Sequence, residues 1–537
     1  MPVESLIAPR GGLRYDLPAD LISKLEMSDA RNVFFQDGLI KKRYGYGTKG
    51  SNLPLDGVVV GITQFQDYSG GSWLLAGTEN QLYKYLSNGS WDTVSDAGGY
   101  FGYSTFGSGA FGANAGDMFS ASDSNDLSFA VVRKTTETDP WLIISNGVDH
   151  IKKWTGTGAA SNLISDYPSG VTSLLAKYVL EFKTYLILLR PVENGNVYPH
   201  RIRWSDTADP EDFVNGNASY LDLPPKPTFG DPDEIKGGVQ LGADLIGIFK
   251  GSSIWTGYAT GDTDIFEMSR RANEGCVSGK TVAVVEDIVL YMGHEDVFAF
   301  DGDTVESVGG PIRRELFKTT NPGQKSRSYC KVFREMKEYW LFVPTASNTY
   351  PDVAWCLKYD TGKWNRHAFA DYLTMRGDYT SSSRLTIGDL TGTIGQQTWR
   401  IGSRNIQSST PTTLFGDSDG YIYEYDELTN NDNDTAIDAW FTTKDFNPTK
   451  LKTRFRINRI DTYYTGAGLD LSYSTNKGKT WISIATLDDS DNLETPRQAF
   501  DKIDTPICRL RWRNNTLGEH FEFNRASIYW EPSGERL

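Results

Sequence analysis

Cysteine and histidine are scarce in this sequence. Four cysteines, Cys276, Cys330, Cys356 and Cys508, are scattered over 537 residues without a CxxC pair, so neither a zinc site nor a redox dithiol is indicated and buried free thiols are expected. The five histidines, His150, His200, His294, His367 and His520, form no HExxH or other short metal spacing, and no GxSxG elbow occurs. Long apolar runs are missing as well. The densest, residues 185–189, is far too short to span a bilayer, which predicts no membrane segment. The opening MPVESLIAPRGG lacks a basic region followed by an apolar core, which predicts synthesis in a cytoplasm without a classical export signal. Basic charge is in deficit: 54 Lys and Arg stand against 69 Asp and Glu, a formal net charge of −15. That balance argues against a surface that grips nucleic acid by neutralising phosphates, though not against a wall that DNA slides past.

Glycine and aromatic residues, in contrast, are plentiful. Fifty-three glycines and 13% aromatics suit an all-β protein, in which aromatics pack on pleated faces and glycine makes tight turns. A helical stripe is sustained only over the short segment 19–33. Elsewhere apolar bursts such as SWLLAG, WLIISNG, TYLILL and EYWLFV are each followed by a turn and a strand with alternating aromatics. The second members are NQLYKY (80–85), NGVDHIKKW (146–154), GSSIWT (251–256), EDVFAFDG (295–302), CLKYDTG (356–362), GYIYEYD (420–426) and, more weakly, RIRWSD (201–206). They recur roughly every 45 to 65 residues, near the ~40–50 residue period of propeller blades.

The reading is an all-β chain: a degenerate six- or seven-bladed β-propeller with a C-terminal β-sandwich-like domain and an N-terminal extension. Its divisions are 1–57, extension and signature strand; 58–428, propeller; and 429–537, sandwich. The proline-rich LPPKPTFGDP, 223–232, reads as a connector between blades. The polar run TNNDNDT, 429–435, marks the change to the second domain. GGYFGYSTFGSGAFGANAG, 98–116, is too glycine-rich to pack as a strand cheaply. It is expected to be a projecting loop that offers Tyr100, Phe101, Tyr103, Phe106 and Phe111 to a channel or partner.

Motifs that resemble chemistry are weak. Gly107, Gly109 and Gly112 have GxGxxG spacing but no strand leads in and no helix follows, so a dinucleotide site is not expected. GCVSGKT, 275–281, has three residues between its glycines where a phosphate loop has four, and strands follow it. STNKGKTW, 474–481, resembles an Asp-box, a structural hairpin turn, with Asn476 in the aspartate position. Asp417, Asp419 and Glu424 point to a glycosidase only by abundance; turns such as DDSDN, 488–492, could bind calcium but lack the glycine and terminal glutamate of an EF-hand, so calcium stays open and unassigned. The sequence therefore predicts no catalytic residues, no cofactor, no assigned metal and no enzymatic activity. GHEDVFAFDGDT, 293–304, follows suit. Its phenylalanines are expected on the core face, with His294 and the carboxylates at turn and surface.

Two stretches carry a family resemblance. LEMSDARNVFFQDGLIKKRYGYG, 25–47, with Ala30, Asn32, Asp37, Gly38, Lys42, Arg43, Gly45 and Tyr46, resembles the opening of tail tubular and nozzle (stabilisation) proteins of short-tailed bacteriophages. RRANEGCVSGKTVAVVEDIVLYMGHEDVFAFDGDTVESVGGPIRRELF, 270–317, is similar to a glycine-cysteine, strand, turn, strand, aromatic-Asp-Gly pattern of the same proteins. The resemblance implies a virion tail protein assembled in the host cytoplasm: a hexameric ring below the portal and adaptor, bearing fibres or a plug. Double-stranded DNA would pass through the ring without specific binding, which an acidic lumen would favour. Lys41, Lys42, Arg43 and Tyr46 are the candidate intersubunit or adaptor contact, since a basic turn on an acidic protein suits a charge contact. Other readings stay open: a receptor-binding or polysaccharide-degrading virion propeller, marked by a concave cluster of carboxylates and aromatics, or a cellular propeller scaffold, expected to be monomeric.

Overall fold

The computed structural model describes residues 3–54, 57–94, 118–164, 166–226, 232–262, 264–380, 411–449 and 453–536. Nearly all of its regular structure is β, and among the described residues the α-helix is a single short one, Arg313–Thr319. The segment 19–33 is not helical. Its backbone is drawn into sheets instead, Asp29–Arg31 pairing with Ala439–Thr442, so tertiary pairing overrides the apolar spacing.

Among the described residues, seven sheets of mainly antiparallel strands, in chain order, form the blades of a propeller. Their first strands are Val59–Gln66, Ser128–Val132, Leu174–Phe182, Ile235–Leu241, Ala283–Val285, Tyr329–Phe333 and Leu373–Tyr379. Successive first strands stand beside one another, and the seventh stands beside the first, so the ring closes. Every recurrent aromatic segment of the sequence is the third strand of its blade: Leu82–Tyr85, Lys152–Trp154, Arg201–Trp204, Ile254–Ala259, Val297–Phe300, Val353–Lys358 and Ile422–Asp426. The apolar bursts before them are second strands, buried on both faces by adjacent blades, as in Glu338–Val343 with all six residues buried.

The fourth strand of blade 7 comes from the other end of the propeller sequence. Gly45–Thr48 pairs antiparallel with Ile422–Asp426, Tyr46 opposite Tyr425, and so joins the last blade to the strand that precedes the first. The hairpin Asn431–Asp432 with Thr435–Ala436 extends the same sheet.

The remaining strands form a two-sheet sandwich. One sheet contains Val33–Gln36, Leu39–Lys42, Phe521–Arg536, Thr453–Gly466 and Arg497–Thr505, with Val3–Ile7 paired to Phe521–Arg536. The other contains Asp29–Arg31, Ala439–Thr442, Arg509–Asn514, Leu469–Ser474 and Ile482–Leu487. Between them Phe441, Trp512 and Phe523 pack with ring centroids 4.8–5.4 Å apart, a spacing that adds to their burial. The segment expected as a separate extension, 1–57, is thus divided: residues 3–42 supply sandwich strands and 45–48 a propeller strand.

One apolar core continues from the sandwich into blades 5 and 6. Phe35, Ile40 and Trp512 belong to the same buried cluster as Val285, Leu290, Leu341, Trp355 and Trp364. The stretch 293–304 shows how. Val297 faces this shared core and Phe300 the core of blades 4 and 5, so both faces of the strand are buried. The expected division into a core face and a surface face is corrected accordingly. Asp296 is also buried, accepting from the Val297 amide at 2.8 Å and Ser307 Oγ at 2.6 Å. Asp301 and Gly302 do turn the chain: Asp301 accepts from the amides of Asp303 and Thr304, and Gly302 has φ 105°.

Candidate functional site

The basic run 41–43 lies where the chain crosses from the sandwich to blade 7. Strand alternation sends Lys41 towards Glu522, its partner in the pairing, at 2.9 Å. Lys42 points inward and donates to Asn514 Oδ1 at 2.8 Å and to the Thr516 carbonyl at 3.3 Å; burial lowers its pKa to about 8. Arg43 has 0% exposure. Its guanidinium forms a bidentate pair with Asp432 and donates to Asn32 Oδ1 at 3.0 Å, the Ala368 carbonyl at 2.7 Å and the Tyr44 carbonyl at 2.9 Å. It also sits over the Phe369 ring, 4.6 Å from the centroid. Tyr46 is buried and donates to Asp371 Oδ2 at 2.9 Å; burial first, then Asp432 and Asp371, raise its pKa.

The intersubunit contact expected of Lys41, Lys42, Arg43 and Tyr46 is therefore corrected. All four are engaged within the chain, because a segment shared by two domains is covered by both. Asp432, the acid that completes the arrangement, sits in the polar run 429–435 and gave no sequence signal beyond its charge. The glycine-aromatic stretch with Tyr100, Phe101, Tyr103, Phe106 and Phe111 lies outside the described residues.

A short segment elsewhere presents apolar side chains to solvent. Leu17, Leu21 and Leu25 are 41%, 67% and 51% exposed. Lone exposed leucines are ordinary; here three fall within nine residues. The segment is held to the body by backbone: Lys444 Nζ donates to the Ile22 carbonyl at 2.8 Å, the Asp445 amide to the Ala19 carbonyl at 3.0 Å. Its neighbour Ile22 is buried.

At the centre of the propeller is a cavity of about 580 Å³. First strands contribute Val60, Ser128, Lys177, Lys236 and Thr374, and the turns entering blades 5 and 6 contribute Lys280 and Arg327. Lys280 belongs to GCVSGKT, whose turn is a 3-10 helix, Gly279–Thr281, capped by Ser278. A Cβ on Gly279 would lie 2.1 Å from the Lys236 carbonyl oxygen, so glycine lets these two backbones touch.

The other motifs resolve into turns. Asn476 Oδ1 accepts from the Thr480 amide at 2.9 Å, and Gly478 has φ 85°. Asp417 accepts from the amides of Asp419 and Tyr421 and from the Tyr423 hydroxyl at 2.8–2.9 Å. All four cysteines are buried and unpaired.

No protein-family model and no curated protein matches the sequence. Solved structures of similar fold include virginiamycin B lyase from Staphylococcus aureus, 8% identical with TM-score 0.38, covering 69% of this chain and 98% of that one. BBS1N in complex with ARL6DN is 10% identical with TM-score 0.40, covering 72% and 99%. An exo-beta-1,3-galactanase from Phanerochaete chrysosporium is 9% identical with TM-score 0.25, covering 85% and 100%. The likeness is one of fold alone. The expectation that the chain is not an enzyme is withdrawn, because it rested on absent motifs alone and one fold hosts many functions.

Proposed function

We propose that the chain is an interaction scaffold, a propeller and sandwich joined into one block that contacts partner proteins through its leucine turn. The observation that carries this reading is the exposure of Leu17, Leu21 and Leu25 on a segment anchored to the body. Exposed apolar side chains on an anchored segment lose little ordering entropy on binding, which favours their use as a contact. The shared core and the buried Arg43–Asp432 pair supply the rigidity. Replacing all three leucines by serine should leave thermal stability within about 1 kcal/mol of the parent and abolish partner binding. Retained binding in a crosslinking assay on the native assembly would refute the scaffold contact.

A more specific form of this reading is a tail nozzle: a hexameric ring in a virion, meeting an adaptor above and fibres or a plug below, with DNA passing through. One observation favours it. The residues that carry the resemblance, among them Ala30, Asn32, Arg43, Gly45 and Tyr46, lie at the junction of sandwich and propeller, so the resemblance concerns the architecture itself. In that ring the leucine turn is the subunit contact.

A further inference from the structure

The central cavity concentrates positive charge on a chain whose formal net charge is −15. Five cations, Lys177, Arg190, Lys236, Lys280 and Arg327, line it together with three carboxylates. Glu234 is shared by Arg190 at 2.7 Å and Lys236 at 2.6 Å. Asp126 pairs with Lys280 at 2.8 Å. Asp123 pairs with Arg327 at 3.0 Å and accepts the Tyr350 hydroxyl at 2.6 Å. The carboxylates are thereby engaged, and the cations exceed them.

Lys177 holds the excess. Among the described residues no carboxylate lies within salt-bridge distance of it, and its Nζ reaches only the Asn146 carbonyl, at 3.4 Å. Burial presses its pKa down; Asp126 opposes this, while Lys280 and Arg190 add to it. Across the same wall, Arg190 has left-handed backbone, φ 54°, and its Nε is buried without a hydrogen-bond partner. A buried donor of this kind is costly unless something accepts from it. An ammonium that meets only one carbonyl and a guanidinium edge with an unmet donor share one complement, an oxyanion.

We propose that the propeller cavity binds a small molecule bearing phosphate or carboxylate groups, with Lys177 and Arg190 as its principal contacts. Lysine supplies a point charge and arginine a directional donor edge, the combination that holds oxyanions. The volume lies within the ~300–1,000 Å³ of small-molecule sites. Low-dielectric walls strengthen the attraction despite the acidic exterior. The GKT run contributes through Lys280 alone, as one cation of the wall.

The test is calorimetric titration of the full chain with pyrophosphate and with citrate at matched ionic strength, paired with thermal unfolding. At least one anion should bind saturably and raise the Tm as mass action requires. Tighter pyrophosphate identifies a phosphate ligand, tighter citrate a polycarboxylate. Lys177→Met removes a disfavoured charge, so it should fold at least as stably without anion and bind roughly tenfold or more weakly. The proposal is overturned if neither anion binds the wild-type chain saturably, or if the variant binds as wild type does.

Discussion

Arg43 and Asp432 face each other as a bidentate ion pair with 0% and 3% exposure, 389 positions apart in the sequence. The pair ties the strand entering the propeller to the hairpin leaving it. The guanidinium is further satisfied by Asn32 and the Ala368 carbonyl. Such a pair adds little stability over a well-packed apolar replacement, but losing one partner leaves a buried charge.

Asp432→Asn should therefore destabilise by about 3–5 kcal/mol. Arg43→Met combined with Asp432→Leu should cost clearly less than that. Urea unfolding followed by tryptophan fluorescence measures both; equal losses in the two variants would contradict the account of the junction.

Closure of blade 7 yields a matched pair of glycine substitutions. A Cβ on Gly45 would lie 1.9 Å from the Asn431 carbonyl oxygen, whereas one on Gly47 meets nothing within 4 Å. Gly45→Ala should lower stability by about 1–3 kcal/mol or more, and Gly47→Ala by less than about 0.5 kcal/mol. Thermal unfolding of the two variants side by side checks the pairing.

Glu338 sets a pH dependence. Burial pushes its pKa up from 4.5 to about 7, against the opposing hydrogen bond from Trp340 Nε1 at 2.7 Å. The folded chain thus holds a proton that the unfolded chain has released between these values. Its contribution is full below pH 4.5 and is lost as pH rises through 7, roughly 3 kcal/mol in all. Glu338→Gln should flatten that part of the stability profile, measured by urea titration at a series of pH values.

The four thiols should resist modification. Burial pushes Cys276 up to about 12 and raises Cys330, Cys356 and Cys508 as well, so little thiolate forms at pH 8. An aromatic disulfide reagent should label none of them in the folded chain and all four in denaturant.

Much of the fold was legible because propeller blades repeat a local pattern. The third strands announced themselves by alternating aromatics, and Asp301–Gly302 by turn chemistry. The alternation of Val297 and Phe298 was readable too, but not that neighbouring blades bury both faces. Long-range pairing was not legible. Nothing local says that Gly45–Thr48 closes a blade ending at Asp426, or that Val3–Ile7 pairs with Phe521–Arg536. For the same reason Lys41, Lys42 and Arg43 read as an exposed basic turn, since their partners Glu522, Asn514 and Asp432 are hundreds of residues away. The cavity cations come from five separate segments and share no spacing.

The most direct test of the scaffold reading is electron microscopy of the native assembly that contains this chain. The account predicts class averages in which Leu17, Leu21 and Leu25 are covered by a neighbouring protein, with rotational symmetry if the chain is a tail nozzle. A solitary copy with that turn facing solvent in every class would contradict it.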